Sequence, residues 1–337
     1  MKKAVKKISV IIVLMIAIAS LFACNRAEQY FVLGTFLNVE ASGSGCSAVP
    51  DKVYDFALDI ETLLSPTIEG SDIYNVNHAN TGVPVKCDEK TMEIASVAEY
   101  VYKQSNGAYD PSVYPLVRFY NMSGDLYKYA VVYEDLDFEK LPSVLALVGL
   151  NKAFTFDYEN NTITKLIDGA MLDFGGIAKG YAVDKAREGI DCKMLVNLGG
   201  NISAKAKTYT IGIANPDRID RVQSATPYFG KISLRDGECV ATSGDYQRYY
   251  AVQLGENQRK VYHHIINPVT GYCADEGIVS CSIVSQNGAL GDAVATAVVI
   301  LGEEEGVKLI ETLGLKGVII FDDLTYRCVG DLQLELR

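Results

Sequence analysis

The stretch LDFGGIAKGYAVD, residues 172–184, decides how the rest of the chain is read. Asp173 runs into the Gly175–Gly176 pair, and a helical pattern starts near Ile177 with Lys179 in its first turn. An acid, a tight turn and a lysine at a helix start thus fall within one short segment. Working outward, Val53, Phe56, Ala57, Ile60, Leu63 and Leu64 recur at helical spacing over 51–64, as do Ile94, Val97, Ala98 and Val101 over 93–104. Between them SPTIEGSDIYNVNHANTG is dense in turn formers and reads as an ordered loop. FTFDY and TITKL flank Asn160–Asn161 as a β-hairpin. Further strands are predicted at 194–198, 210–213, 231–234, 278–284 and 318–321, and helices at 289–301 and 304–313. No regular βαβ alternation emerges. The fold class expected is α+β, a single two-lobed domain of mixed sheets and packed helices.

The chain opens with MKKAVKK and an apolar run over 8–22, a basic region followed by a stretch too short to cross a bilayer comfortably. It reads as a secretory signal ending in LFAC, the pattern of a bacterial lipobox in which Cys24 receives the lipid. An ordinary signal peptide followed by an unmodified Cys24 is the alternative. The expected organisation is a leader over 1–23 and a functional domain over 24–337, lipid-anchored on the extracytoplasmic face of the cell membrane. The full chain has 31 basic and 42 acidic residues, a net charge of -11. Removing the leader takes away four lysines, leaving 27 against 42, or -15. That balance repels a polyanion, and no basic cluster interleaved with aromatics offsets it, so nucleic acid is excluded as a partner. Beyond Cys24, the cysteines are Cys46, Cys87, Cys192, Cys239, Cys273, Cys281 and Cys328, with no CxxC and no zinc-like spacing. They allow at most three disulfides, and small buried thiols are an equal alternative.

Chemistry concentrates in three places. In residues 173–184 the glycines allow close backbone approach, the helix start offers free N–H groups, and Lys179 can neutralise a phosphate. The spacing fits neither a Walker motif nor GxGxxG, and by itself the turn is equally well structural. In GDAVAT, 291–296, Asp292 and Thr296 share a helix face and offer two oxygen donors of the kind Mg²⁺ takes together with phosphates, carbonyls and water. The competing reading makes Asp292 a helix cap. HHIINPVTG, 263–271, places two of the three histidines before a turn; His263 reads as a surface strand residue and His264 as the candidate base.

In order along the chain, Leu33-Gly-Thr35, Ser71-Asp-Ile with Asn77, Gly107-Ala-Tyr-Asp-Pro111, Asp173 to Asp184, Asn197-Leu-Gly-Gly200, Thr242-Ser-Gly244, His264-Ile-Ile-Asn-Pro268 and Asp292 to Thr296 resemble the ApbE family of FAD:protein FMN transferases. The resemblance implies Mg²⁺-dependent transfer of FMN from FAD to a threonine or serine hydroxyl of an acceptor protein, with release of AMP. It implies FAD contacts from Leu33, Thr67, Ala108, Tyr109, Asp110, Asp173, Lys179 and Ile266. It implies Mg²⁺ ligands at Gly176, Asp292, Ala295 and Thr296, with His264 and Lys179 catalytic. The partners implied are secreted or membrane-bound acceptor proteins. Two other readings use the same site, a Mg²⁺-dependent FAD pyrophosphatase and a non-catalytic FAD-binding surface lipoprotein. The chain departs from the family pattern at three points. Thr67 stands where relatives carry a stacking tyrosine after the serine of the LS motif. Leu33 replaces methionine, and Asn267 replaces an aspartate, which is expected to leave the neighbouring imidazole less basic.

Overall fold

The computed structural model describes residues 25–123, 131–132, 136–221, 223–254 and 258–336; the leader and Cys24 lie outside the described residues. Its frame is one antiparallel sheet of eight strands: β1 (Asn25–Val32), β2 (Thr35–Ser42), β3 (Lys193–Leu198), β4 (Asn201–Lys205), β5 (Cys239–Gly244), β6 (Ile278–Ser285), β7 (Lys316–Phe321) and β8 (Tyr326–Val329). Their order in the sheet is their order in the chain. Two joints are two-residue turns, Leu33–Gly34 with φ of 52° and 67°, and Gly199–Gly200 with φ of 59° and 96°. Paired positive φ values match the twist of the flanking strands. Apart from the short strand Glu335–Leu336 after β8, the other described elements are inserted between neighbouring strands.

Four helices from these insertions cover one face of the sheet: α1 (Val49–Leu64), α2 (Glu89–Gln104), α3 (Gly175–Lys185) and α4 (Gly288–Thr312). Ile60, Ile94, Ile177 and Val294 from the helices meet Leu37, Val196 and Ile283 from the strands in the main core. On the opposite face, Ile202, Val240, Val284 and Val318 pack under Ile211 and Ile232 of the hairpin formed by Tyr209–Ala214 and Tyr228–Leu234. Covered on both sides, β6 is buried along its whole length, its serines Ser280, Ser282 and Ser285 included. A separate cluster joins Leu116 and Tyr120 to Tyr250, Tyr262 and Ile266 around the hairpin of Tyr249–Gln253 and Arg259–His263.

The expected helices are present and begin earlier than periodicity indicated. Pro50 starts α1, and Asp88 caps α2 by accepting the Lys90 N–H at 2.8 Å. The two helices expected over 289–301 and 304–313 are the arms of α4, broken at Gly302, where φ is 79°. The segment read as a loop after Leu64 instead contains the helix Asp72–His78. Ser71 accepts the Tyr74 N–H at 2.9 Å as its cap, and burial of Ile73 and Val76 outweighs the turn preference of the intervening polar residues. Of the described cysteines, Cys46 and Cys192 form a disulfide and the other five are free. The disulfide closes the long insertion between β2 and β3 near both of its ends.

Helices α3 and α4 meet backbone to backbone. A Cβ on Gly180 would fall on the Gly288 carbonyl oxygen and 2.7 Å from the Asp292 Cβ, and one on Gly288 would fall on the Gly180 carbonyl. Two carboxylates lock this crossing reciprocally: the Gly180 N–H donates to Asp292 Oδ2 and the Gly288 N–H to Asp184 Oδ2, each at 2.9 Å. Gly180→Ala is therefore expected to destabilise the fold by about 3 kcal/mol, the upper part of the usual range for overpacking. Urea denaturation measures this, and an unchanged midpoint would mean that the helices can separate without cost.

Candidate active site

A cleft of about 560 Å³ opens where α3 begins, beside the first turns of α4, the β1–β2 turn and the segment after β5. Every residue for which the resemblance implies a catalytic, FAD or Mg²⁺ role lines it except Ala295. Ala295 is fully buried inside the regular part of α4, where the Val299 N–H is the ordinary partner of its carbonyl.

Asp292 and Thr296 form the floor. Asn287, not Asp292, caps α4, accepting the Leu290 N–H at 2.9 Å, and the helix starts at Gly288 rather than Gly291. Asp292 is 2% exposed and accepts the Gly180 N–H, while Lys179 Nζ stands 3.9 Å from its Oδ2 and donates to the Gly175 carbonyl at 2.9 Å. Its counterpart in the crossing, Asp184, is differently placed. Asp184 is paired directly with Arg187 at 2.5 Å, whereas among the described residues no cation is hydrogen-bonded to Asp292. The Thr296 hydroxyl lies 3.0 Å from Ser243 Oγ and 3.6 Å from the position a Cβ on Gly176 would occupy. In a regular helix the Gly176 carbonyl is closed by the Gly180 N–H, and that N–H is the one drawn towards Asp292. One carboxylate, one hydroxyl and a weakly closed carbonyl are hard oxygen donors, the set a Mg²⁺ ion takes when phosphates and water complete its shell. Among the described residues no group of three or more His, Cys, Asp or Glu could hold a metal by itself.

Phe174, the N-cap residue of α3, makes no side-chain cap bond. Asp173 precedes it and accepts the Gly175 N–H at 2.7 Å; burial raises its pKa, partly offset by that N–H, Arg248 and Lys179. Asn77 fixes the approach to this turn, its amide donating to the Leu172 carbonyl at 2.9 Å and accepting the Leu172 N–H at 2.7 Å. The Asp173 N–H donates to Pro111 O, tying in the loop that carries Ala108, Tyr109 and Asp110. Asp110 spends its carboxylate on that loop, accepting from the Ser112 N–H and hydroxyl and from the Leu150 N–H. Burial raises its pKa as well.

His264 lines the far wall, beside Ile266. Its N–H donates to the Arg248 carbonyl and its Nδ1 lies 3.3 Å from the same oxygen. A carbonyl only accepts, so Nδ1 carries the proton and Nε2 the lone pair. Burial, then the Arg248 guanidinium, His263 and Lys179, push its pKa down to about 3. Asn267 takes no part in that: its Oδ1 accepts the Val269 and Thr270 N–H groups of the following turn. The imidazole is weakly basic, as expected, with burial and the neighbouring Arg248, His263 and Lys179 lowering its pKa. His263, expected at the surface, is buried, with Nε2 3.0 Å from the Ala274 carbonyl. The β-bend that turns the chain at residue 264 sends consecutive histidines to opposite environments, one into the protein and one into the cleft.

At the mouth, Leu33 holds a left-handed backbone and donates its N–H to Glu61 Oε1 at 2.8 Å. Thr67 sits on the same rim, its hydroxyl 3.1 Å from Ser65 Oγ. Arg248 NH2 is 3.3 Å from where a Cβ on Gly34 would lie. Glu61 and Arg248 escaped the residue-by-residue reading, and Ser243 is read only as part of a motif. Glu61 looks like any charge on the wet face of a helix, and nothing in the sequence distinguishes Arg248.

A model of the ApbE family matches residues 33–319. The chain belongs to the ApbE family. It is 27% identical over 358 residues to the FAD:protein FMN transferase of Treponema pallidum (strain Nichols), spanning 98% of this chain and 95% of that protein. With the FAD:protein FMN transferase of Klebsiella pneumoniae (strain 342) it shares 26% identity over 265 residues, 77% of each chain. The ApbE protein from Thermotoga maritima has the same fold, with a TM-score of 0.77 at 26% identity over 90% of this chain and 97% of that one. The flavin transferase ApbE from Vibrio cholerae superposes with a TM-score of 0.73 at 23% identity, over 92% and 97% of the two chains.

The depressed pKa of His264 in this ApbE-family chain has a definite sign. The unfolded chain protonates near 6.5 and the folded one near 3, so the unfolded state binds more protons between those values. The contribution of His264 to stability is complete above pH 6.5 and is lost as the pH falls towards 3. The stability difference between wild type and His264→Gln is expected to shrink across that window, followed by thermal denaturation at a series of pH values. A difference that stays constant from pH 7 to pH 4 would show an ordinary, solvated imidazole.

Proposed function

We propose that this protein transfers FMN from FAD to a threonine or serine hydroxyl of an acceptor protein and releases AMP, with Mg²⁺ as its cofactor. The observation that carries the reading is the unequal pair of carboxylates at the α3–α4 crossing. Both accept a glycine N–H, but among the described residues only Asp184 has a hydrogen-bonded cation; Asp292, with Lys179 Nζ 3.9 Å away, faces the cleft beside Thr296 and the start of α3. A diphosphate bound with a divalent cation supplies what that floor lacks. Asp292, Thr296 and the Gly176 carbonyl would hold the ion; when bound, Mg²⁺ neutralises charge on the diphosphate and eases the departure of AMP.

The chain's own groups do the rest. Lys179 and the Gly176 N–H at the start of α3 hold the phosphates. Arg248 adds a positive charge at the mouth, and Asp173 with its bound Gly175 N–H fixes the turn beneath them. The acceptor hydroxyl forms a bond to the FMN phosphorus while the bond from that phosphorus to the bridging oxygen breaks. The hydroxyl proton passes to Nε2 of His264, and AMP leaves with the bonding pair. A neutral His264 is ready for that proton throughout the physiological range.

Support for an extracytoplasmic location comes from the Cys46–Cys192 disulfide, a bond that persists in oxidising compartments. Lipid on Cys24 would hold the enzyme at the membrane and concentrate it near anchored acceptors. Cys24→Ser is expected to leave the membrane fraction for the soluble one with FMN transfer retained, as shown by fractionation and labelling. A variant that stays with the membrane would remove the anchor from Cys24.

Asp292→Asn keeps an acceptor for the Gly180 N–H and removes the charge. It is expected to cut transfer by about 10²-fold or more, the scale of losing a charge-stabilising group, and to abolish the rise in melting temperature on adding Mg²⁺. Incubation with FAD, Mg²⁺ and an exported acceptor distinguishes the readings by product. Protein-bound FMN with AMP supports transfer, free FMN with AMP means a pyrophosphatase, and neither product means a flavin-binding protein.

A further inference from the structure

Strand β1 lies at an edge of the large sheet. Among the described residues its one strand neighbour is β2, and the two pair in unbroken register from Asn25 opposite Ser42 to Val32 opposite Thr35. The Phe36 carbonyl accepts the Gly199 N–H on the far side of β2, so the directly opposed Phe31 turns its own N–H and carbonyl away from β2. Alternation along an antiparallel ladder gives Gln29 and Ala27 the same outward direction. Among the described residues no backbone group outside the sheet bonds to these three. Such a row of open donors and acceptors is a template for another strand, and proteins usually blunt it by shortening, proline, a bulge or charge. The opposite edge strand, β8, has four residues. β1 has eight, with no proline, no lysine and no bulge, and its only charges, Arg26 and Glu28, lie in the half away from the cleft.

The edge is held in place and becomes apolar where it meets the cleft. Tyr30 stacks on Tyr54 of α1 with ring centroids 4.6 Å apart and donates to Asp51 at 2.6 Å. Just past Val32, the Leu33–Gly34 turn lines the cleft. Phe31 and Phe36, opposed across the hairpin, meet edge to face with centroids 5.6 Å apart, yet they are 60% and 57% exposed. Val32 and Leu37, the next residues in their strands, are buried under the helices, so the two rings stand on the opposite face. Two phenyl rings left in water beside an open strand edge mark a surface that gains by being covered.

We propose that an extended segment of the acceptor protein adds to the free edge of β1, bonding to the outward backbone groups of Ala27, Gln29 and Phe31 and laying an apolar side chain over the Phe31–Phe36 pair. The inference rests on the FMN-transfer reading and names the surface that brings the acceptor hydroxyl to the cleft. The edge ends where the cleft begins. At about 3.4 Å per residue, a hydroxyl about two or three residues past the one beside Phe31 passes the Leu33–Gly34 turn and stands at the mouth. Main-chain bonds of this kind supply affinity, and the aromatic pair selects among segments through the side chain it covers. A second copy of this chain paired through its own β1 would bring no acceptor hydroxyl, because that strand has neither serine nor threonine.

Gln29→Pro removes one outward N–H without taking a bond from the β2 ladder, and so tests the docking. The probe is the exported protein that gains covalent flavin fluorescence when membranes and exported proteins of the source cell are incubated with the enzyme, FAD and Mg²⁺. The variant is expected to bind FAD as wild type does and to keep its kcat, with KM for that acceptor raised about 10-fold, the scale of one lost hydrogen bond. Phe31→Ser should raise KM in the same direction. Hydrogen exchange on the wild-type enzyme gives a reading that needs no variant to fold: the Ala27, Gln29 and Phe31 amides should exchange more slowly when the acceptor, its target residue changed to alanine, is bound. An unchanged KM in folded Gln29→Pro, or amides that gain no protection, would overturn the proposal. So would a wild-type dimer that Gln29→Pro makes monomeric, which gives the edge to a second copy. Loss of binding to anionic phospholipid vesicles by Phe31→Ser at an unchanged KM would give the rings to the membrane and overturn it too. Release of free FMN and AMP with no flavinylated protein would remove the transfer reading itself, a result distinct from all of these.

Discussion

The crossing of α3 and α4 is the constraint on which the rest of this structure depends. Gly180 and Gly288 let two backbones touch, and Asp292 and Asp184 each accept an N–H from the opposite helix. Close approach removes the space for water, so both carboxylates are held by backbone groups instead. Arg187 neutralises one of them and leaves the other facing the cleft. A structural contact and the floor of the candidate active site are the same set of atoms.

Around that crossing, each wall of the cleft is pinned from outside. Asn77 clamps Leu172 before the α3 turn, Glu61 holds the left-handed Leu33, and the Arg248 carbonyl orients His264. None of these contacts consumes Lys179 or Nε2 of His264, which line the cleft. Preorganisation of this kind lets fixed dipoles and charges act on a phosphoryl group without rearrangement during the reaction.

The sheet serves this arrangement through its connectivity. Strands laid down in chain order leave the connections free to grow, and the long insertion between β2 and β3 brings α1, α2 and α3 to one face. The Cys46–Cys192 bond closes that insertion and limits the excursions of the unfolded chain, a contribution of about 2–4 kcal/mol for typical disulfides.

Periodicity alone determined α1, α2 and both arms of α4, because a buried helical face must repeat its apolar residues every three to four positions. The order of local motifs identified the family, and it named the residues of the cleft, since glycine turns, Asp292 and Thr296 are chemically distinctive where they stand. What it could not determine was partnership across the chain. That Asp292 would meet Gly180, that His264 would lose basicity to burial and to Arg248, and that Ser71 would cap a helix inside a polar run all depend on groups distant in sequence or on burial. Glu61 and Arg248 carry no local signature, because a charged side chain acquires its role only from what the fold places beside it. The sequence determines which groups are available; burial and contact decide which of them are left unpaired, and those face the ligand.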